Sequence, residues 1–316
     1  MLPSIYISIC LLQLHFIFKP LYSLTTESYP NMSHKPHSPS VWNPTKYLKY
    51  HSQRTRPVHD LLSRIPQLPS TQSNATPTVI DLGCGPGNST AVLRSYFPTA
   101  HLTALDSSPD MLSHARAANI PPPVHFALAD LRTYTPEADT PAPDLFVANA
   151  VLHWVERKRR LPLVRALLET QPPGGVFAYQ VPDNLAEPSH VLMREVAREE
   201  DAPWKGVLRA AGALDGGRES IEDPREVCAF LEPVCGTQVD VWRTTYYHVL
   251  RDHGEIVEWV SGTGLRPFLE PLGTGELRDA FLERYRKRLE DAYPLSKDGG
   301  SVLFPFPRLF VVAVRR

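Results

Sequence analysis

Apolar and polar residues follow two different patterns along this chain, and the alternation of these patterns predicts its helices and strands. From residue 78 onward, short apolar runs alternate with segments whose apolar residues recur every three or four positions. The first pattern indicates buried strands and the second amphipathic helices. Their alternation predicts an α/β fold with a doubly wound, Rossmann-like, mostly parallel seven-stranded sheet. The predicted strands lie at 78–83, 101–106, 124–130, within 143–154, and at 174–183, 237–250 and 307–316.

One long segment interrupts this alternation. Residues 184–235 begin with "PSHVLMREVAREE", which has helical periodicity, and continue with two shorter helical pieces. The segment is predicted to be a helical insertion that forms a lid over a cleft. Residues 43–66 are predicted to form one or two helices that pack on the sheet. Two further helical regions, at 254–272 and 274–295, separate the last two strands.

The N-terminal 40 residues differ in composition from the rest. Residues 2–18 are mostly apolar, but no lysine or arginine precedes them and Gln13 and His15 interrupt the run. A polar, proline-rich stretch follows, as in disordered linkers. We expect residues 1–40 to be a disordered or non-native extension, with the working protein starting at Met32 and the globular domain spanning 41–316. A membrane, secretory or other targeting segment is the alternative for the first 31 residues.

Charge and cysteine content exclude several classes of function. The chain has 316 residues and a net charge of −1, so nothing in its overall charge attracts it to nucleic acid or to an anionic membrane. Its four cysteines show neither CxxC pairs nor zinc-type spacing. We therefore expect a cytoplasmic protein without disulfides or a metal site, and without a membrane-spanning part in the domain. A monomer or weak oligomer is expected.

A glycine-rich loop follows the first predicted strand. In "DLGCGPGNST", Gly83, Gly85 and Gly87 separate that strand from a helix. Glycines there permit positive φ and let a ligand approach the backbone at the helix N-terminus. A dinucleotide-binding loop would have the pattern G-x-G-x-x-G, but Asn88 occupies the position of the last glycine. A nicotinamide dehydrogenase is thereby disfavoured.

Three acidic residues indicate which ligand the loop holds. Asp81 precedes the glycines and suits an ammonium group, whereas Asp106 ends the second strand, where a carboxylate grips a ribose diol. Asp130 ends the third strand and suits an adenine amino group. Each acid alone is equally explained as a helix cap or a solvated strand end. Together they predict a ligand with an amine, a ribose and an adenine but no phosphate, which is S-adenosylmethionine.

From these motifs the chain resembles the class I S-adenosylmethionine-dependent methyltransferases, and more narrowly the trans-aconitate methyltransferases. The resemblance covers residues 41–316. The glycine loop is shared by very many methyltransferases, whereas "HVLMREV", "WRTTYYH" and "TGLRP" point to the aconitate group. Residues 1–31 have no counterpart in that family, and residues 209–227 match it only loosely.

The resemblance implies methyl transfer to a carboxylate of trans-aconitate or a related small polycarboxylic acid, giving a methyl ester. A carboxylate is ionised at neutral pH, so we assign no catalytic acid, base or metal and expect catalysis by positioning. The expected cofactor-binding residues are Asp81, Gly83, Gly85, Gly87, Asn88, Asp106, Ser107, Met111, Asp130, Leu131 and Asn149.

A polycarboxylate requires cations, and arginine matches a carboxylate best because its planar fork binds both oxygens. The expected substrate-binding residues are Arg54, Arg56, His153, Trp154, Arg243, Tyr246, Arg266 and Arg308. For each arginine a structural or surface ion pair is the alternative, and for Tyr246 it is core packing. Trp42 and Tyr47 are expected to close over the cofactor.

Two other functions stay open. The first is methylation of a hydroxyl or a carbon acid by the same fold, in which case His153 is a candidate base. The second is a non-catalytic protein that binds S-adenosylmethionine and turns nothing over. A carboxylate acceptor predicts a rate that does not change through neutral pH, whereas a base-assisted acceptor predicts a rise near the pKa of histidine.

Overall fold

The computed structural model describes residues 50–137 and 139–316, except the side chain of His51. The predictions for residues 1–40, Trp42 and Tyr47 lie outside the described residues.

A single seven-stranded sheet forms the centre of the described chain, as the sequence pattern predicts. Its strands lie in the order β3-β2-β1-β4-β5-β7-β6. The first five are parallel, and β7 runs antiparallel to both of its neighbours. The strands are β1 (Thr78–Leu82), β2 (His101–Asp106), β3 (Val124–Leu128), β4 (Leu145–Asn149), β5 (Val176–Pro182), β6 (Val239–Leu250) and β7 (Val302–Val314). The fold is the doubly wound, Rossmann-like α/β class.

The last strand begins five residues before its predicted start, at Val302 rather than at residue 307. Pro305 and Pro307 make this stretch unlike a strand in sequence, because proline has no N–H to donate. Both lie beyond the end of β5, which pairs with β7 only as far as Arg308. There β7 has β6 as its ladder partner on one side only, and proline is tolerated at such an edge.

Helices cover both faces of the sheet. They are α1 (His51–Leu62), α2 (Pro69–Gln72), α3 (Asn88–Tyr96), α4 (Pro109–Ala117), α5 (Arg157–Thr170), α6 (Pro188–Arg198), α7 (Lys205–Ala210), α8 (Pro224–Cys235), α9 (His253–Ser261), α10 (Arg266–Leu272) and α11 (Glu276–Ala292), with a 3₁₀ turn at Leu152–Trp154. No helix in the described part of the chain is long and apolar enough to cross a membrane.

The helices of the predicted insertion divide between two cores. Residues of α6 and α7 share a core with α9, α10, α11 and the ends of β6 and β7, and Trp204, Trp259 and Phe281 lie within it. Helix α8 instead packs on the sheet beside α5, where Val227 and Leu231 contribute to the sheet core. The helical layer is therefore built from segments before and after β6.

The connections of the sheet diverge between β1 and β4. From β1 the chain moves outward to β2 and β3, and from β4 it moves the other way to β5. In open α/β sheets the crevice outside the carboxyl ends of strands at such a point is where ligands bind. The glycine loop after β1 and Asn149 at the end of β4 both lie there.

Candidate active site

A cavity of about 450 Å³ opens at these strand ends. Its wall is formed by the residues that follow β1, β2, β3 and β4, by the ends of β5 and β7, and by residues of the helical layer. The volume is within the range of small-molecule sites, about 300–1,000 Å³.

The glycine loop forms one wall of the cavity. Gly83, Gly85 and Gly87 all have positive φ, at 68°, 55° and 95°. Gly83 and Gly85 line the cavity. Gly87 does not; it is the left-handed N-cap of α3, and a side chain there would meet Ile120. Gly87 was predicted to bind the cofactor, but its position fits a role in shaping the loop.

Asp81 lies beneath the loop, fully buried, and does not line the cavity. Its Oδ2 accepts hydrogen bonds from Ser89 Oγ at 2.8 Å and from Thr90 Oγ1 at 2.7 Å. Burial raises the pKa of Asp81 to about 6, despite these two hydrogen bonds. The carboxylate therefore joins β1 to the first turn of α3 through Oδ2. Its Oδ1 is buried and has no hydrogen-bond partner among the described residues, and a contact with a ligand ammonium stays a prediction.

Asp106 and Asp130 lie on the cavity wall, as predicted. Asp106 Oδ2 accepts a hydrogen bond from the Gly85 amide at 2.8 Å and Oδ1 accepts one from the Ser108 amide at 2.9 Å. Each oxygen has a further lone pair for a ligand hydroxyl. Asp130 follows β3 by two residues and pairs with Arg132, whose hydrogen bonds lower the pKa of Asp130.

Replacing Asp106 by asparagine is expected to weaken cofactor binding about 10- to 100-fold. The new amide nitrogen must face either the Gly85 or the Ser108 N–H, two donors in conflict, and a charged acceptor is lost. The dissociation constant of S-adenosylhomocysteine, measured by calorimetry, tests this. Asp110→Asn is the matched control, because Asp110 begins the next helix and does not line the cavity. Equal losses in the two variants would contradict the assignment.

The other predicted cofactor residues also line the cavity. These are Asn88, Ser107, Met111, Leu131 and Asn149. The Nδ2 of Asn88 is buried and has no hydrogen-bond partner among the described residues. A ligand with an acceptor group at this point would satisfy it.

Three side chains on adjacent strands form a hydrogen-bonded row across the cavity floor. Arg308 Nη1 on β7 donates to Gln180 Oε1 on β5 at 2.8 Å, and Gln180 Nε2 donates to Asn149 Oδ1 on β4 at 2.5 Å. Gln180 is 1 % exposed and was not predicted. The signal was present, because glutamine interrupts the otherwise apolar run "VFAYQVP" near its carboxyl end.

The predicted cations divide into two groups. Arg54, Arg266 and Arg308 line the cavity, with Arg266 also paired to Glu270. Arg56 and Arg243 do not line it. Tyr246 does not line it either, and the neighbours of these three side chains explain why.

Each of these three side chains is engaged outside the cavity. Arg243 Nε pairs with Asp183 at 2.8 Å. Arg56 lies over the ring of Tyr246, at 5.2 Å from its centroid. The Tyr246 hydroxyl donates to Asp60 at 2.5 Å, and the buried ring belongs to the sheet core. The observed contacts of Arg56, Arg243 and Tyr246 are therefore structural, which is the alternative to substrate binding given for each of them above.

His153 and Trp154 lie on the 3₁₀ turn after β4 and line the cavity. Ala150 precedes the turn with φ of 53°, a left-handed conformation that is rare for alanine. His153 is buried, and its burial together with the charges of Arg218 and Arg308 holds its pKa well below the ordinary value. The imidazole is therefore neutral at physiological pH.

Arg218 also lines the cavity and was missed in the sequence analysis. It lies in the irregular stretch between α7 and α8, where no periodicity indicates which way a side chain points. Among the described residues, no group of three or more His, Cys, Asp or Glu side chains is placed to hold a metal ion.

Comparison with known proteins identifies the family. Residues 79–175 match a family model described as a methyltransferase domain. A trans-aconitate 2-methyltransferase of Methylobacterium nodulans is 48 % identical over 274 residues, which cover 87 % of this chain and 98 % of that protein. One from Escherichia coli is 45 % identical over 277 residues, covering 87 % and 99 %.

Solved structures are similar at lower identity. A putative methyltransferase from Bacillus halodurans is 14 % identical, with a TM-score of 0.48, over 81 % of this chain and 97 % of that one. The trans-aconitate 2-methyltransferases, in contrast, match 87 % of this chain. The chain is thus a member of the trans-aconitate 2-methyltransferase family of S-adenosylmethionine-dependent methyltransferases.

Proposed function

We propose that this protein transfers the methyl group of S-adenosylmethionine to a carboxylate of trans-aconitate, producing a methyl ester. One observation carries the proposal: the two ends of a single cavity have opposite charge. Asp106 and Asp130 lie at the end formed by β2 and β3, where Arg132 pairs with Asp130 and leaves the charge of Asp106, whereas Arg308 lies at the end formed by β7. The first end suits an adenosine and the second a polyanion.

The acidic end fits the cofactor. A side chain at Gly85 would meet no atom within 4 Å, so the loop leaves open space beside the cavity for a ligand. Asp106 keeps lone pairs that can accept from ribose hydroxyls, and Asn88 Nδ2, which has no partner among the described residues, can donate to a ligand acceptor. Bound there, S-adenosylmethionine supplies an electrophilic methyl group on its sulfonium.

Strand order sets the distance between the two ends. Two strand spacings separate β2 from β4, and two more separate β4 from β7. Each spacing is about 4.8 Å, so Asp106 and Arg308 lie on strands about 19 Å apart, with Asn149 midway. An extended cofactor and a small acid placed end to end match this arrangement, and their junction falls near Asn149 and His153.

The acceptor needs no general base in this scheme. A carboxylate with an ordinary pKa near 4 is already a nucleophile at neutral pH. The work of the protein is to hold acceptor and methyl donor in line and to exclude water, and such positioning is worth about 7–11 kcal/mol. Arg308, fixed by Gln180, orients the acid relative to the strand that carries Asn149.

The relatives are named 2-methyltransferases, and we propose that this chain also methylates the carboxylate at position 2 of trans-aconitate. The test is to incubate the full chain with labelled S-adenosylmethionine and, separately, trans-aconitate, cis-aconitate, citrate and a neutral phenol. Base-labile label is expected chiefly with trans-aconitate, and product analysis then assigns the carboxyl. Label on the phenol alone, or on no acid, would contradict the proposal.

The reaction rate is expected to be constant between pH 7 and 8.5 at saturating substrates. The acceptor is ionised throughout, and His153, with its lowered pKa, stays neutral over the whole interval. Initial rates across this interval test the prediction. A tenfold rise per pH unit would instead indicate removal of a proton from a hydroxyl or carbon acceptor.

We also propose that the protein works in the cytoplasm. All three cysteines of the described residues are free. A reducing compartment accounts for unpaired thiols, of which Cys84 and Cys235 are buried.

A further inference from the structure

Two donors of Arg218 find no partner within the part of the chain that the structure describes. Its Nη1 donates to Asn184 Oδ1 at 3.3 Å, but its Nε and Nη2 are buried and have no hydrogen-bond partner among the described residues. Within residues 50–137 and 139–316, no carboxylate forms an ion pair with it. Asn184, which follows β5 and is 1 % exposed, also has a buried Nδ2 that no described residue pairs with. Both side chains line the cavity.

The backbone near Arg218 is anchored. Arg160 on α5 donates from Nε to the Val155 carbonyl and from Nη1 to the Ser220 carbonyl, both at 2.8 Å. The same guanidinium pairs with Glu222 at 3.5 Å, and both side chains are almost fully buried. These bonds hold the chain two and four residues beyond Arg218 to a helix of the sheet layer. The position of Arg218 is therefore prepared before any ligand binds.

Without a bound anion, Arg218 lowers the stability of the folded protein. Burial, followed by the charges of Arg160 and Arg194, lowers its pKa to about 10, so it remains charged at neutral pH. Arg218 is half-buried, but its Nε and Nη2 atoms are buried, and a charge whose buried donors lack hydrogen bonds destabilises the folded state unless it is paired. The carboxylates on the cavity wall, Asp106 and Asp130, belong to the opposite end of the sheet. A ligand anion is what the site lacks.

We propose that Arg218, oriented by Asn184, binds a carboxylate of the substrate other than the one that is methylated. The inference rests on the proposed function, because it assigns one group of that polyacid. Two charged N–H donors on a carboxylate draw electron density from its oxygens and weaken it as a nucleophile. Arg218 is therefore most useful on a remote carboxylate, where binding energy serves to position the reacting one. Binding of this remote carboxylate makes Arg218 a specificity-determining residue.

Binding of acids to the full chain with S-adenosylhomocysteine present tests this without turnover. The probes are trans-aconitate and two dicarboxylates, methylfumarate and itaconate, each of which lacks a different carboxylate of trans-aconitate. Arg218→Met is expected to weaken trans-aconitate about 10- to 100-fold. For the one dicarboxylate that lacks the carboxylate bound by Arg218, the dissociation constants of wild type and Arg218→Met should differ less than about threefold. Arg218→Lys, which keeps the charge but not the fork, should show an intermediate loss.

Arg194→Met is the matched control. Arg194 is a neighbouring cation that lowers the pKa of Arg218, yet it donates to the Leu185 carbonyl and does not line the cavity. We expect it to change acid binding by less than about threefold. A loss in Arg218→Met no greater than in Arg194→Met, or equal for all three acids, would overturn the inference.

Thermal unfolding separates binding from a structural role. Without ligand, Arg218→Met should unfold at the same temperature as wild type or higher, because two buried guanidinium nitrogens without hydrogen bonds are removed. A markedly lower unfolding temperature would assign Arg218 a structural role instead. Turnover of trans-aconitate by wild type is measured in parallel. Its absence would refute the proposed function, whereas turnover with unaltered binding in Arg218→Met would refute only the role of Arg218.

Discussion

Gly83→Ala is expected to lower the free energy of unfolding by about 3 kcal/mol or more. Gly83 has φ of 68°, a conformation that costs alanine about 1–2 kcal/mol. Its new Cβ would also lie 2.4 Å from Val151 Cγ2 and 2.8 Å from Val151 Cβ. Val151 is β-branched with few rotamers, so it cannot move aside without shifting the chain that leaves β4.

Gly85→Ala is the matched comparison within the same loop. Gly85 has φ of 55°, but an added Cβ meets nothing within 4 Å. The expected stability loss is therefore only the conformational cost, about 1–2 kcal/mol, whereas cofactor affinity falls because the methyl group enters ligand space. Urea unfolding and calorimetry with S-adenosylhomocysteine measure the two effects. If both variants were equally stable, the packing account of the loop would be wrong.

Arg308→Met is expected to reduce kcat/KM for trans-aconitate about 100-fold or more. Arg308 is 6 % exposed, and its hydrogen bond to Gln180 fixes it on the cavity floor. Two charged hydrogen bonds to a carboxylate, at about 1.5–3 kcal/mol each, give a loss of this size. Steady-state kinetics measure it, and calorimetry with S-adenosylhomocysteine is expected to show a smaller effect on the cofactor.

Arg243→Met is the control for this prediction. Arg243 lies on β6 beside Leu309 of β7, but its side chain pairs with Asp183 and does not line the cavity. We expect kcat/KM to stay within about threefold of wild type. A comparable loss in both variants would mean that general electrostatics, and not contact with the acid, explains the role of Arg308.

The centre of the fold was predictable because its strands there are nearly continuous apolar runs. β4 and β5 are buried on both faces, so burial makes almost every position apolar and the pattern is unambiguous. The glycine loop and Asp106 were predictable for a different reason. Their roles depend on backbone conformation and on strand ends, both of which are local in sequence.

The substrate end was only partly predictable, because its chemistry depends on partners distant in sequence. Arg243 and Arg308 both lie in strands, but only the structure shows that Asp183 neutralises one of them and that Gln180 fixes the other. Asp81 is predicted at the ligand, and only the structure shows that the hydroxyls of Ser89 and Thr90 engage its Oδ2 below the loop. The partners of the two arginines and of Asp81 do not follow from the periodicity of the sequence.

A crystal structure of the full chain with S-adenosylhomocysteine and trans-aconitate tests the central claim most directly. The account predicts the ribose on Asp106 and the acid between Arg308 and Arg218, with a carboxylate oxygen facing the sulfur near Asn149. Trans-aconitate bound outside the cavity, or with its carboxylates away from both arginines, would contradict it.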